Sequence, residues 1–132
     1  MDMNGCKLQM LDLYFSKCDF RQVRGQKNQE YNTSFQIEYA VNNEDPSKIK
    51  VTIDTAVSNE NESIVVNLQT VAIFKIEKEG IDDSTYDHLI KVNTVAIVFP
   101  FIRSQISLMT TQPGIPPVML PPININALIE KQ

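Results

Sequence analysis

The stretch that decides the fold is residues 93–128, NTVAIVFPFIRSQISLMTTQPGIPPVMLPPININAL. Its first half is apolar at steps of three and four, the spacing of a helix, and carries Pro100. Its middle, residues 113–122, holds five prolines in ten residues. Proline fixes φ, lacks an N–H and drives the preceding residue out of the helical region. That segment is therefore neither helix nor central strand and must be an extended, polyproline-like crossover. Ile115, Val118, Met119 and Leu120 lie within it. Connections normally run over the surface, so a loop this apolar either packs on its own core or lines a groove that another molecule fills. Asn124 then caps a second, short helix from Ile125.

Outward from this stretch, the N-terminal half reads as strands. Residues 7–20 (KLQMLDLYFSKCDF) are apolar on both faces, Leu11, Leu13 and Phe15 on one and Leu8, Met10, Tyr14, Cys18 and Phe20 on the other. A strand covered on one side alternates cleanly, so the second face is expected either to meet a partner or to be buried. Residues 33–42, 48–58 and 63–78 alternate as strands should, separated by turns at residues 43–46 and 59–62. Four consecutive strands with short turns imply an antiparallel meander. Ser84 with Asp87 fits a capping box. Leu89, Val92, Val95, Ala96, Phe99, Ile102, Ile106 and Met109 form one helix face, and Pro100 is expected to kink or interrupt that helix. Ile97, Val98, Phe101 and Leu108 leave other faces apolar, which implies burial by more than one sheet, most economically a second copy. Strands first and helices after predict an α+β fold, a four-stranded antiparallel meander with two helices on one face, in one domain over residues 1–132.

Bulk properties narrow the function. Hydrophobic residues make up 42% of 132, enough for one core. A net charge of −4 without a basic stripe argues against nucleic acid. The N-terminus has no signal-peptide pattern, and the longest apolar run, residues 95–102, is broken by Pro100 and too short to span a bilayer. The expectation is a cytoplasmic protein with reduced Cys6 and Cys18. The single histidine, His88, has no nucleophile or second ligand in a recognisable spacing, the cysteines form no CxxC pair, and no Gly-rich phosphate loop occurs. No enzyme, metal or cofactor is expected.

Three pieces resemble one family. VAIVFPFIRSQI (residues 95–106) resembles the helix of the bacterial protein-export chaperone family SecB, with its Phe-Pro-aromatic core followed by arginine. Residues 113–128 look like that family's proline-rich crossover and second helix. VAIFKI (residues 71–76) and LYFSKCDF (residues 13–20) are similar to its fourth and first strands. The resemblance implies a dimer of dimers that holds unfolded chains without ATP, in a groove between helix, crossover and sheet. Carried onto this sequence, the groove residues would be Phe74, Ile76, Ile97, Phe101, Ile115, Val118, Met119 and Leu120. Ile102, Gln105, Ile106 and Met109 would form the subunit interface, and Phe99 belongs to the core. The family passes clients to the motor SecA through acidic residues on the outer sheet face and a C-terminal tail. Here Lys17, Arg21 and Asn67 stand at those acidic positions and the chain stops at Gln132, which puts the SecA contact in doubt. The alternative is a module of the same fold dedicated to one partner, such as an antitoxin.

Overall fold

The computed structural model describes every residue except 1, 4, 5, 24–29 and 115; the side chains of residues 2, 3, 6 and 7 also lie outside the description. Five strands form one antiparallel sheet: β1 (Asp2–Met3), β2 (Cys6–Gln22), β3 (Tyr31–Val41), β4 (Lys48–Asn59) and β5 (Ile64–Glu77). A helical run follows: α1 (Asp83–His88), a π-helical turn (Leu89–Asn93) and α2 (Thr94–Met109), then α3 (Ile125–Glu130) after the crossover. The α+β class and the four long antiparallel strands are as the sequence predicts.

The strand order differs from a plain meander. It is β1-β2-β5-β4-β3, so β3, β4 and β5 run in sequence while β2 crosses to the far side and pairs with β5. This closes a Greek-key arrangement. The turns that hold the meander are side-chain built. Asn42 Oδ1 accepts from the backbone N–H of Glu44 (2.8 Å) and Asp45 (3.2 Å). Buried Asn59 accepts from Ile64 N (3.0 Å) and donates to Ser63 Oγ (2.7 Å).

The two-faced look of the first strand has a local cause. β2 carries irregularities between Met10 and Asp12 and between Phe15 and Lys17. Each inserts one residue, Leu11 and then Ser16, and shifts the side-chain phase by one. The register therefore sets Leu8, Met10, Leu13, Phe15, Cys18 and Phe20 opposite Ile76, Phe74, Ala72, Thr70, Leu68 and Val66. All six lie on the helix side of the sheet. Most of the apolar second face expected from strict alternation is instead the same face, re-phased twice; Leu11 and Tyr14 are the exceptions and stay exposed.

The helices cover that side. Ile49, Val51, Ile53 and Val57 of β4 and Val66, Leu68, Ala72, Phe74 and Ile76 of β5 are buried beneath Val95, Val98, Phe99, Ile102 and Ile106 of α2. Phe35 on β3 packs at a tilt against Phe99 with ring centroids 5.7 Å apart, and the Tyr39 hydroxyl donates to Lys91 O at 2.7 Å. The helix start is fixed by Asp82, whose carboxylate accepts from Thr85 N at 2.7 Å. The cap is thus Asp82 rather than the expected Ser84–Asp87 box, because only Asp82 sits in extended backbone with its carboxylate free to turn back. Pro100 does not interrupt α2; the departure from α geometry comes about two to three turns earlier, in the π turn. The continuous helical run, Asp83–Met109, is long and apolar enough to cross a membrane by length and composition, longer than the run seen in the sequence. In this fold one of its faces is packed on the sheet.

Candidate functional site

The crossover is tied along α2 at three points. Arg103 Nε donates to Leu120 O at 3.1 Å, Ser107 Oγ lies 3.3 Å from Met119 Sδ, and buried Thr110 Oγ1 accepts from Val118 N at 2.7 Å. Positions 103, 107 and 110 are four and three apart, one face of a helix. Their partners run 120, 119, 118, so the loop lies antiparallel to the helix. Thr110 Oγ1 also donates back to Ile106 O (2.8 Å). The Val118 N–H, inside the extended segment, is satisfied by this hydroxyl without secondary structure. Because the loop is extended, its side chains alternate. Val118 (2% exposed) and Leu120 (4%) point into the core, and Met119 (70%) points out.

Beside this seam runs a trough of about 480 Å³, lined by Pro100, Arg103, Ser104, Ser107, Leu108, Thr111, Met119 and Leu120. That volume is within the usual range for binding clefts. Its apolar rim continues along the outward face of α2, where Ile97 (37% exposed), Phe101 (45%) and Leu108 (70%) stand in water. The outer face of the sheet carries a second, polar depression of about 290 Å³, lined by Lys17, Ser34, Gln36, Asp54, Asn67 and Gln69 among others. There Gln69 bridges Ser16 Oγ (2.6 Å) and Asp54 Oδ1 (2.9 Å), and Lys17 pairs with Asp19 at 3.6 Å.

The residues expected in the groove divide. Ile97, Phe101 and Met119 are exposed at or near the trough. Phe74 and Ile76 are corrections: both are sealed beneath the helix (0% and 2% exposed), since they lie on the inner face of a sheet strand with neighbours on both sides. Val118 is core as well, and Leu120 reaches the trough only at its edge, because the alternation of an extended loop turns both inward. Ile115 lies outside the described residues. Of the expected interface residues, Ile102 and Ile106 are buried in the chain's own core (1% and 0%) and have no surface to offer a second subunit. Gln105 and Met109 are half-buried, Gln105 contacting Cys18 Sγ at 3.8 Å. Sequence reasoning missed Pro100, Arg103, Ser104, Ser107, Leu108 and Thr111 as lining. The signal was there: 97, 101, 104 and 108 recur at three and four on the helix side away from the core stripe. Among the described residues no group of three or more His, Cys, Asp and Glu side chains could hold a metal ion.

The chain is thus an antiparallel sheet with one face covered by a long helix, and a trough of mixed apolar and polar lining between that helix and a proline-stiffened crossover. The family described as preprotein translocase subunit SecB matches residues 6–132. The chain belongs to the SecB family. An uncharacterised protein of Methanocaldococcus jannaschii is 30% identical over 102 residues, 74% of this chain and 64% of that protein. The protein-export protein SecB of Neisseria meningitidis serogroup A is 32% identical over 84 residues, 64% of this chain and 56% of that protein. The chain thus spans less than two thirds of the length of these relatives. In structure, it is similar to a SecB-like chaperone of Mycobacterium tuberculosis solved in complex with a ChAD peptide from the HigA1 antitoxin. The TM-score is 0.72 at 18% identity, over 88% of this chain and 90% of that one. A protein of unknown function from Streptococcus agalactiae also shares the fold, with a TM-score of 0.52 at 12% identity over 88% and 98%.

Proposed function

We propose that the protein is an ATP-independent holdase, which binds extended apolar segments of unfolded polypeptides along the outward face of α2 and the adjoining trough. The observation that carries this reading is the solvent-facing set Ile97, Phe101, Leu108 and Met119 beside a cleft of about 480 Å³. A single chain has no structural use for four large apolar side chains in water, and such a patch marks an interaction surface. The wall opposite α2 is framed by prolines, so little conformational freedom is lost when a client docks, and an exposed methionine adapts to varied side chains. Family membership supports the same reading. The protein acts in the cytoplasm, needs no cofactor and assembles with itself; among the described residues β2 pairs with β1 only at residues 6 and 7, which leaves most of one sheet edge available to another chain.

A second reading is a chaperone dedicated to one partner, such as an antitoxin, without hand-over to SecA. It is favoured by the peptide complex of the M. tuberculosis relative and by the outer sheet face, where Lys17 and Arg21 are exposed. The deciding experiment follows light scattering of a denatured client with and without the protein, and without ATP. Suppression by the native chain, weakened by Phe101→Ser with Leu108→Ser, is expected. Equal aggregation in all three samples would rule out the holdase reading. Binding to one co-purified partner with no effect on unrelated clients would favour the second.

A further inference from the structure

Among the described residues β3 (Tyr31–Val41) is the last strand of the sheet, so one of its edges has no strand beyond it. Its sequence, YNTSFQIEYAV, holds none of the residues that blunt an exposed edge: no proline, no lysine and one charge, Glu38. A segment this rich in aromatic and β-branched residues and this poor in charge readily pairs with copies of itself. The structure guards that edge from another element. Gln132 Oε1 accepts from Ile37 N (3.1 Å), and Gln132 Nε2 donates to Phe35 O (3.2 Å). Backbone groups of alternate residues face the same edge of a strand, and a neighbouring strand would engage this pair through one C=O and one N–H. The side-chain amide supplies both at once, in place of a peptide group. It is held there by α3: Gln132 N donates to Ile129 O (3.1 Å), Nε2 also reaches Leu128 O (3.4 Å), and Ile125, Leu128 and Ile129 pack against the core.

We propose that α3 and Gln132 form an edge guard, which keeps β3 from pairing with β3 of a second copy. The position of the clasp identifies that occupant. Gln36 is the midpoint of the 11-residue strand, and the clasp holds the groups on either side of it. Two β3 strands in full antiparallel register about a two-fold axis would centre on Gln36, and would join Phe35 O and Ile37 N of each copy to Ile37 N and Phe35 O of the other. In that register Phe35 faces Ile37 and Thr33 faces Tyr39, favourable cross-strand pairs, while Glu38 faces Ser34 and meets no like charge. The amide therefore blocks the two groups on which this pairing would be centred. A chain with one open sheet edge can pair once through its sheet, and the assembly closes. A chain open at both edges can grow a continuous sheet without closure. The inference goes beyond the self-assembly proposed above, because it assigns the edge that stays shut, and it does not depend on the holdase reading.

The test follows the mean mass of the full chain by light scattering from micromolar to near-millimolar concentration. Gln132→Leu keeps an apolar stem and removes both amide bonds; Gln132→Asn, one methylene shorter, removes them a second way. Both variants are expected to reach at least about twice the native mean mass and to climb with concentration, while the native mass stays level. Adding Ser34→Glu to Gln132→Leu sets a carboxylate opposite Glu38 of the second copy, and should return the mass to the native value at low salt and less fully at high salt. Native mass in both single variants would overturn the proposal. So would growth that Ser34→Glu leaves untouched, since the new contact would then lie elsewhere. A gain in capture of unfolded peptide at unchanged mass would also overturn it, because the freed edge would then take a client strand rather than a second copy.

Discussion

At the scale of the residue, Thr110 shows how an irregular loop is held in place. Its buried hydroxyl accepts from Val118 N and donates to Ile106 O, so one side chain ends the helix and begins the crossover. Thr110→Val keeps the shape but strands the Val118 N–H. Urea unfolding should register a loss of about 1–3 kcal/mol, the cost of an unsatisfied buried donor. Tyr39 gives a pH signature. Burial, with a smaller contribution from the Asp87 carboxylate, pushes its phenol from 10.0 up to about 12. The folded chain therefore keeps a proton that the unfolded chain releases first. The stability this contributes is present below pH 10 and lost as pH rises towards 12. Tyr39→Phe should flatten that alkaline decline in urea midpoints, while removing the hydrogen bond to Lys91 O at neutral pH. An unchanged pH profile would place the titration elsewhere.

At the scale of the element, α2 separates fold from function by face. Val95, Val98, Phe99, Ile102 and Ile106 are the core stripe, and Ile97, Phe101 and Leu108 lie away from it. The two stripes call for opposite outcomes. Ile106→Ala opens a cavity under the sheet and should cost about 2–5 kcal/mol. Leu108→Ala should leave stability within about 0.5 kcal/mol and reduce client capture. Thermal melts and aggregation assays on both variants check the pair. A Leu108→Ala variant that melts like Ile106→Ala would return the outer stripe to the core. Leu120, nearly buried, belongs with Ile106 in this comparison and not with the surface set.

At the scale of the whole molecule, the covered face of the sheet and the open face of the helix ask different things of a partner. Among the described residues β2 has an unpaired outer edge along most of its length, and Gln132 occupies part of the opposite edge, its amide bonded to Ile37 N (3.1 Å) and Phe35 O (3.2 Å). Long bare edges are templates for pairing, so light scattering at micromolar concentration should give a multiple of the 15.0 kDa chain mass. A monomer under those conditions would contradict the self-assembly proposed above.

Alternation and proline chemistry are local properties, and they made the strands, the extended crossover and the Asn124 cap of α3 legible from residues alone. Asn124 does cap, accepting from Ala127 N at 3.1 Å. The strand order, the two bulges of β2 and the side of the helix that meets the sheet were not legible. Each depends on which segment finds which across tens of residues, and a one-residue slip in register turns every side chain over. The same cause decided the site. Apolar residues recur around most of α2 and along the crossover, so the family resemblance could name Phe74, Val118, Ile97 and Phe101 as groove residues, but periodicity could not separate the buried pair from the exposed pair. Only the packing of helix on sheet, with the loop tied down at 103, 107 and 110, sent the first two inward and left the others facing water.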